Sequence, residues 1–111
     1  MILNVKETDR YNELHDGEGE VTISRLLDKG IAEGLDLFAV VTVPKGASIG
    51  YHTHQSDSEG YYILSGEAEF TDADGSVKTV GAGELCLITK GQSHGISNSG
   101  DTELKFLAVV F

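Results

Sequence analysis

An all-β domain is what this sequence predicts, and three observations carry the prediction. Fourteen glycines stand against one proline in 111 residues, a balance that suits many tight turns between short strands. Apolar side chains recur with period two, most clearly from Leu35 to Val43, and no segment sustains the spacing of an amphipathic helix. Turn signals interrupt the chain at intervals of roughly 8–12 residues, the rhythm of an antiparallel sandwich or barrel. The length fits one domain, residues 1–111, with a single core.

Taken in order, residues 1–20 are polar after Ile2-Leu3, and Asp16-Gly17-Glu18-Gly19-Glu20 reads as a loop. Val21 to Leu27 predicts a strand with Val21, Ile23 and Arg25 on one face, and Asp28-Lys29-Gly30 a turn. From Leu35 to Val43, Leu35, Leu37, Ala39, Val41 and Val43 share a face. Pro44-Lys45-Gly46 ends that strand, because proline cannot donate to a continuing ladder. Ser48–His54, Gly60–Leu64 and Glu67–Thr71 predict the next three strands. Asp72-Ala73-Asp74-Gly75 is a hairpin turn that places positive φ at its glycine. Ser76–Val80, the apolar Glu84–Thr89, the short His94–Ser97 and the alternating Leu104–Phe111 complete the set.

Composition excludes several function classes. Eight Lys+Arg against eighteen Asp+Glu give a formal charge of −10, which repels nucleic acid and anionic membrane surfaces. Arg10 and Arg25 are the only arginines, which disfavours multiply charged phosphosugar substrates. Cys86 is the single cysteine, so no intrachain disulfide forms. The N-terminus carries no basic, then apolar, leader, and no apolar run approaches the roughly 20 residues of a membrane span. A cytoplasmic protein with no nucleic-acid or membrane partner is the expectation.

The stretch Gly46–Glu59 carries the chemistry. His52 and His54 alternate, so an extended strand projects both from one face, and Glu59 follows five residues on. Imidazole is the commonest protein metal ligand, and a carboxylate adds an oxygen to the set. Each residue alone has a plainer reading as a surface or strand-end side chain. His94, forty residues after His54, sits between a glycine turn and a strand that a hairpin-rich sheet can bring alongside. Three histidines and a carboxylate on inward faces would surround one side of a divalent cation and leave the other open, the mark of a reactive rather than a structural site. His15 lies in an acidic stretch and reads as a solvated loop residue.

These residues resemble the two motifs of the cupin family. The first runs Gly46, His52, His54, Glu59, Gly66, and the second Gly83, Thr89, Gly91, His94, Asn98, over residues 46–66 and 83–98. Every marked position matches except Thr89, which stands where the family has proline and loosens a preset turn. The resemblance implies a jelly-roll, or double-stranded β-helix, barrel. It implies that His52, His54, Glu59 and His94 hold one divalent metal ion (Mn, Fe, Zn, Ni or Co) near the barrel mouth. The four motif glycines then serve turns, and Asn98 a turn as well. Small members of the family pair through their sheets, which implies a homodimer, and the apolar C-terminal strand suits one.

Alternation puts Tyr61 and Ile63 inside with Glu59, Tyr62 and Leu64 outside, and Tyr51 away from the metal. Phe38, Phe70, Cys86, Ile88, Ile96 and Phe106 are candidates for the cavity wall, each reading first as core. Tyr61 alone among these combines an inward position with a polar handle, and it is the candidate catalytic residue. The expected function is a small metalloenzyme of dioxygenase, decarboxylase or isomerase type, acting on a small oxygenated molecule chelated by the metal. The alternative is a metal-dependent module that binds a small sugar- or acid-like ligand without turnover.

Overall fold

Side chains alternate between a packed interior and solvent along ten strands. In the computed structural model, which describes residues 1–5 and 7–111, these are β1 (Asp9–Asn12), β2 (Glu20–Leu27), β3 (Leu37–Val43), β4 (Ser48–Thr53) and β5 (Glu59–Ser65). There follow β6 (Glu67–Thr71), β7 (Val77–Gly81), β8 (Leu85–Ile88), β9 (Ser93–Asn98) and β10 (Leu104–Val110). All pairings are antiparallel. One sheet has six strands in the order β1-β2-β3-β10-β5-β8, and the other has four in the order β4-β9-β6-β7. The two sheets face one another as a jelly roll, so the fold class expected from the sequence is the one observed. Among the described residues no helix is long and apolar enough to cross a membrane.

The core lies between the sheets and follows the period-two pattern. On β10, Leu104, Phe106, Ala108 and Val110 point in, and its neighbour β3 contributes Ala39, Val41 and Val43. Phe70 and Ile96, opposite one another on β6 and β9, close the core from the other sheet. Burying side chains such as Phe106, Ile63 and Leu104 contributes about 1.5–3 kcal/mol each. Phe70, Cys86, Ile88, Ile96 and Phe106 are core rather than cavity wall. Phe38 is half-buried on the outer side of its sheet.

Two differences from the sequence reading bear on the site. The polar N-terminal stretch contains strand β1, an edge strand whose Tyr11 pairs with Val21. Asp-Arg-Tyr-Asn has no apolar alternation to announce it. Its backbone bonds to β2, and its side chains pair across the strands, Arg10 with Glu20 at 3.0 Å and Asp9 with Arg25. The second difference is a bulge in β4. Ile49 pairs with Ile96 and His52 with His94, so Gly50 and Tyr51 together oppose Gly95. Strict alternation would send Ile49 and His52 to opposite faces; the extra residue resets the register and turns both inward.

Between β1 and β2, Leu14–Asp16 forms one 3₁₀ turn. Glu13, His15 and Asp16 adopt positive φ of 52°, 52° and 63°, each at a cost of about 1–2 kcal/mol for a residue with a Cβ. Backbone bonds hold the turn: Gly17 N–H to Leu14 at 3.0 Å, Glu13 N–H to Gly19 at 2.9 Å, and Ser48 N–H to Glu18 at 2.8 Å. The turn lies so close on β4 that a Cβ at Gly50 would overlap the carbonyl oxygen of His15, and one at Gly17 would overlap that of Ser48.

Candidate metal centre

Each sheet supplies part of the site. His52 on β4 and His94 on β9 are direct cross-strand partners. His54 lies just past the end of β4, its backbone bonded both ways to the 91–92 turn, with N–H to Gln92 at 2.9 Å and C=O from Gly91 N–H at 2.6 Å. Glu59 comes from the opposite sheet as the first residue of β5, where it faces Val110 and Ile88. The four side chains converge, their candidate donor atoms lying within 4.8 Å of one another. Glu59 Oε1 is 3.0 Å from Nε2 of both His54 and His94, and the Nε2 atoms of His52 and His54 are 3.2 Å apart.

The ring orientations fit a cation. His52 Nδ1–H donates to the Gly50 carbonyl at 2.7 Å, and His54 Nδ1–H to Asp57 Oδ1 at 2.6 Å. Each bond fixes the tautomer and leaves the Nε2 lone pair facing the cluster, the outer support that metal-binding histidines need. Two such lone pairs at van der Waals separation repel unless a proton or a cation lies between them. Protonation is disfavoured at His52. Burial, then repulsion from His15, His94 and His54, lower its pKa to about 4 against the rise from its Gly50 bond. The cluster of His52, His54, Glu59 and His94 is therefore able to hold a metal ion. His94 is fully buried, and its Nδ1 has no hydrogen-bond partner among the described residues.

Tyr61 is buried behind the cluster, its ring stacked on His94 at 4.7 Å and its hydroxyl 3.3 Å from His94 Nε2. Burial first, then the Glu59 carboxylate, push its pKa well above the usual phenol value, so it stays a neutral hydrogen-bond donor. Tyr51 points away, as alternation requires, its hydroxyl reaching the carbonyls of Asp72 and Ala73 at 3.3 Å each.

The cluster opens into a cavity of about 250 Å³. His52, His54, Glu59 and Tyr61 form one side, Ile49, Val41, Ala108 and Val110 the floor, and Tyr11, Arg25, Leu14 and His15 the rim. None of the rim was identified as part of the site from the sequence. Arg25 Nη2 donates to the Tyr11 hydroxyl at 3.0 Å and Nη1 to Asp9. His15 is exposed on its outer side, as its acidic neighbours suggested, but its inner face stacks on His52 with ring centroids 3.7 Å apart and planes 10° from parallel. The one sequence signal for it is Gly50, a glycine inside a strand, which marks a bulge or a close backbone approach.

Comparison with known proteins agrees with this geometry. The cupin domain family model matches residues 39–110. An oxalate-binding protein of Thermotoga maritima is 41% identical over 103 residues, covering 92% of this chain and 84% of that one. Oxalate decarboxylase OxdC of Bacillus subtilis is 35% identical over 75 residues, 64% of this chain but 20% of its own length. Among solved structures, a predicted oxalate decarboxylase of Thermotoga maritima superposes with a TM-score of 0.92 and 38% identity over 98% of both chains. The polyketide cyclase RemF of Streptomyces resistomycificus shares the fold at a TM-score of 0.77 and 23% identity, over 99% of this chain and 79% of that one. Jelly-roll sheets, a three-histidine, one-glutamate cluster at the mouth, and matches of this extent have one reading: the chain belongs to the cupin domain family.

Proposed function

We propose that the protein holds one divalent cation through Nε2 of His52, His54 and His94 and Oε1 of Glu59, and binds on it a small dicarboxylate of the oxalate type. The observation that carries this reading is the convergence of those four donor atoms at the side of a cavity. The oxalate-binding relative, aligned over most of both chains, supports the choice of ligand. When bound, the cation supplies a Lewis acid that two adjacent carboxylate oxygens can chelate. Three neutral imidazoles and one carboxylate leave a divalent site with one positive charge, which favours an anion inside an otherwise acidic protein. Tyr61 donates its hydroxyl to the Glu59 carboxylate and holds the His94 ring by stacking, and the aliphatic floor keeps water from competing for the ligand.

The test is elemental analysis of untagged protein followed by calorimetric titration with oxalate. One Mn, Fe, Co, Ni or Zn per chain and saturable oxalate binding that EDTA abolishes are expected. Unchanged metal content in His52→Ala and His94→Ala would overturn the ligand assignment. Turnover is the second reading, favoured by the match to the decarboxylase. In that reaction the C–C bond of oxalate breaks to release CO₂, and a proton taken up by the remaining carbon gives formate. Formate production by the loaded protein separates an enzyme from a binding module. The outer face of the six-stranded sheet, where Tyr62, Leu85, Leu87, Leu107, Val109 and Phe111 enclose an apolar depression, is in this reading where two copies of the chain meet.

A further inference from the structure

We propose that His15 is a specificity-determining residue of this site, the rim group whose ring N–H receives a carboxylate oxygen of the bound anion. The proposal rests on the metal-centred ligand reading above and extends it to a residue outside both family motifs. His15 lies parallel to His52 at 3.7 Å between ring centroids, one layer outward from a candidate ligand ring. It lines the same cavity as His52, His54 and Glu59, so a molecule seated on the cluster shares that free space with it. Arg25, the cationic group on the rim, already spends donors on Asp9 and Tyr11. Among the described residues the His15 ring makes no hydrogen bond, and an imidazole carries at least one N–H in either protonation state.

The backbone around His15 is organised to present it. Glu13, His15 and Asp16 sit in the left-handed region, where residues with a Cβ are disfavoured. Strain of this kind persists only where the surroundings over-determine it, and it gathers at ligand sites. The surroundings here are Gly17 and Gly50, whose missing Cβ atoms let the turn seat directly on the bulge that aims His52 inward. One packing arrangement thus sets both rings. A ring kept only to fill space above His52 would be replaceable by any aromatic side chain; a ring kept for its N–H would not.

His15→Phe separates those cases because it retains an aromatic stack and removes the donor. Wild type, His15→Phe and His15→Gln are loaded with Mn²⁺ and titrated with oxalate by calorimetry, with metal content and metal affinity measured in parallel. His15→Phe is expected to bind one Mn²⁺ with affinity within about threefold of wild type and to bind oxalate about tenfold more weakly, the usual scale for a lost hydrogen bond to a charged group. His15→Gln, which keeps an N–H, recovers part of the loss. Oxalate affinity of His15→Phe within twofold of wild type overturns the proposal, as does a loss of Mn²⁺ binding large enough to account for the oxalate effect. Loaded wild type that binds no oxalate is a separate failure: it removes the ligand reading and takes this one with it.

Discussion

The side-chain amide of Asn98 joins three stretches of backbone at the end of β9. Its Nδ2 donates to the carbonyls of Val43 and Thr102 at 2.9 Å each, and its Oδ1 accepts from Gly100 N–H at 3.0 Å. It is 6% exposed, so water cannot replace what is removed, and Asn98→Ala should cost about 2–4 kcal/mol by urea denaturation. The turn role expected from the motif understates it, because the same amide also ties β9 to the end of β3. Thr89 compensates for the missing motif proline: its N–H, which proline would lack, donates to Gln92 Oε1 at 2.8 Å. Cys86 supplies a pH test. Burial first, then the Glu84 charge, raise its thiol from 9.0 to about 11. The folded state therefore holds a proton that the unfolded state loses between pH 9 and 11, and stability should fall as pH rises through that window. Below pH 9 the folded thiol should react with iodoacetamide far more slowly than in urea. Rapid labelling of folded protein at pH 8 would contradict its burial.

At the scale of elements, β4 and the turn docked on it decide the site. Gly50→Ala places a methyl group against the His15 carbonyl, and the backbone of either the turn or the bulge must move. A loss of about 2–4 kcal/mol is expected, lowering Tm by roughly 10–20 °C for a domain of this size. Calorimetry checks the magnitude, and metal affinity should fall along with stability because His52 rides on the same bulge. This region also marks where the sequence stopped being legible. His52, His54, Glu59 and His94 could be read together because strand alternation and motif spacing are written in residue types. The nine strands with apolar faces were legible for the same reason, with ends displaced by a residue or two: the strand read from Leu35 begins at Leu37, and that read to His54 ends at Thr53. Strand β1 was not legible, because an exposed edge strand needs only backbone bonds and its four residues give no pattern. His15 was not legible because its place depends on left-handed backbone at residues that do not favour it, imposed by contacts from β4.

At the scale of the molecule, the proposed pairing face stands out against the rest of the surface. Leu85 and Leu87 are 61% and 48% exposed on edge strand β8, although they belong to a strand whose Cys86 and Ile88 are core. Two chains of formal charge −10 repel over a Debye length of roughly 10 Å at 0.1 M salt, so apolar contact must exceed that repulsion and salt should assist it. Light scattering should find a dimer that tightens with added salt and that Leu87→Glu dissociates. A monomer at tens of micromolar in moderate salt would leave the apolar face without its proposed occupant.

The division of the donor set between sheets reaches beyond ligand binding. Three imidazoles stand on or beside the four-stranded sheet and the carboxylate on the six-stranded one, so an ion gripping all four would rivet the two layers at their open end. Separating the layers would then require breaking coordination bonds as well as expelling the core, and at a thousandfold excess of metal over Kd the folded state would gain about 4 kcal/mol. Amide hydrogens of β4, β5 and β9 near the mouth should exchange more slowly once the rivet is in place, while those of β6 and β7, which supply no donor, should change least. Metal supply would thereby set how often this barrel breathes, and with it the lifetime of the protein against proteases that cut only the opened form.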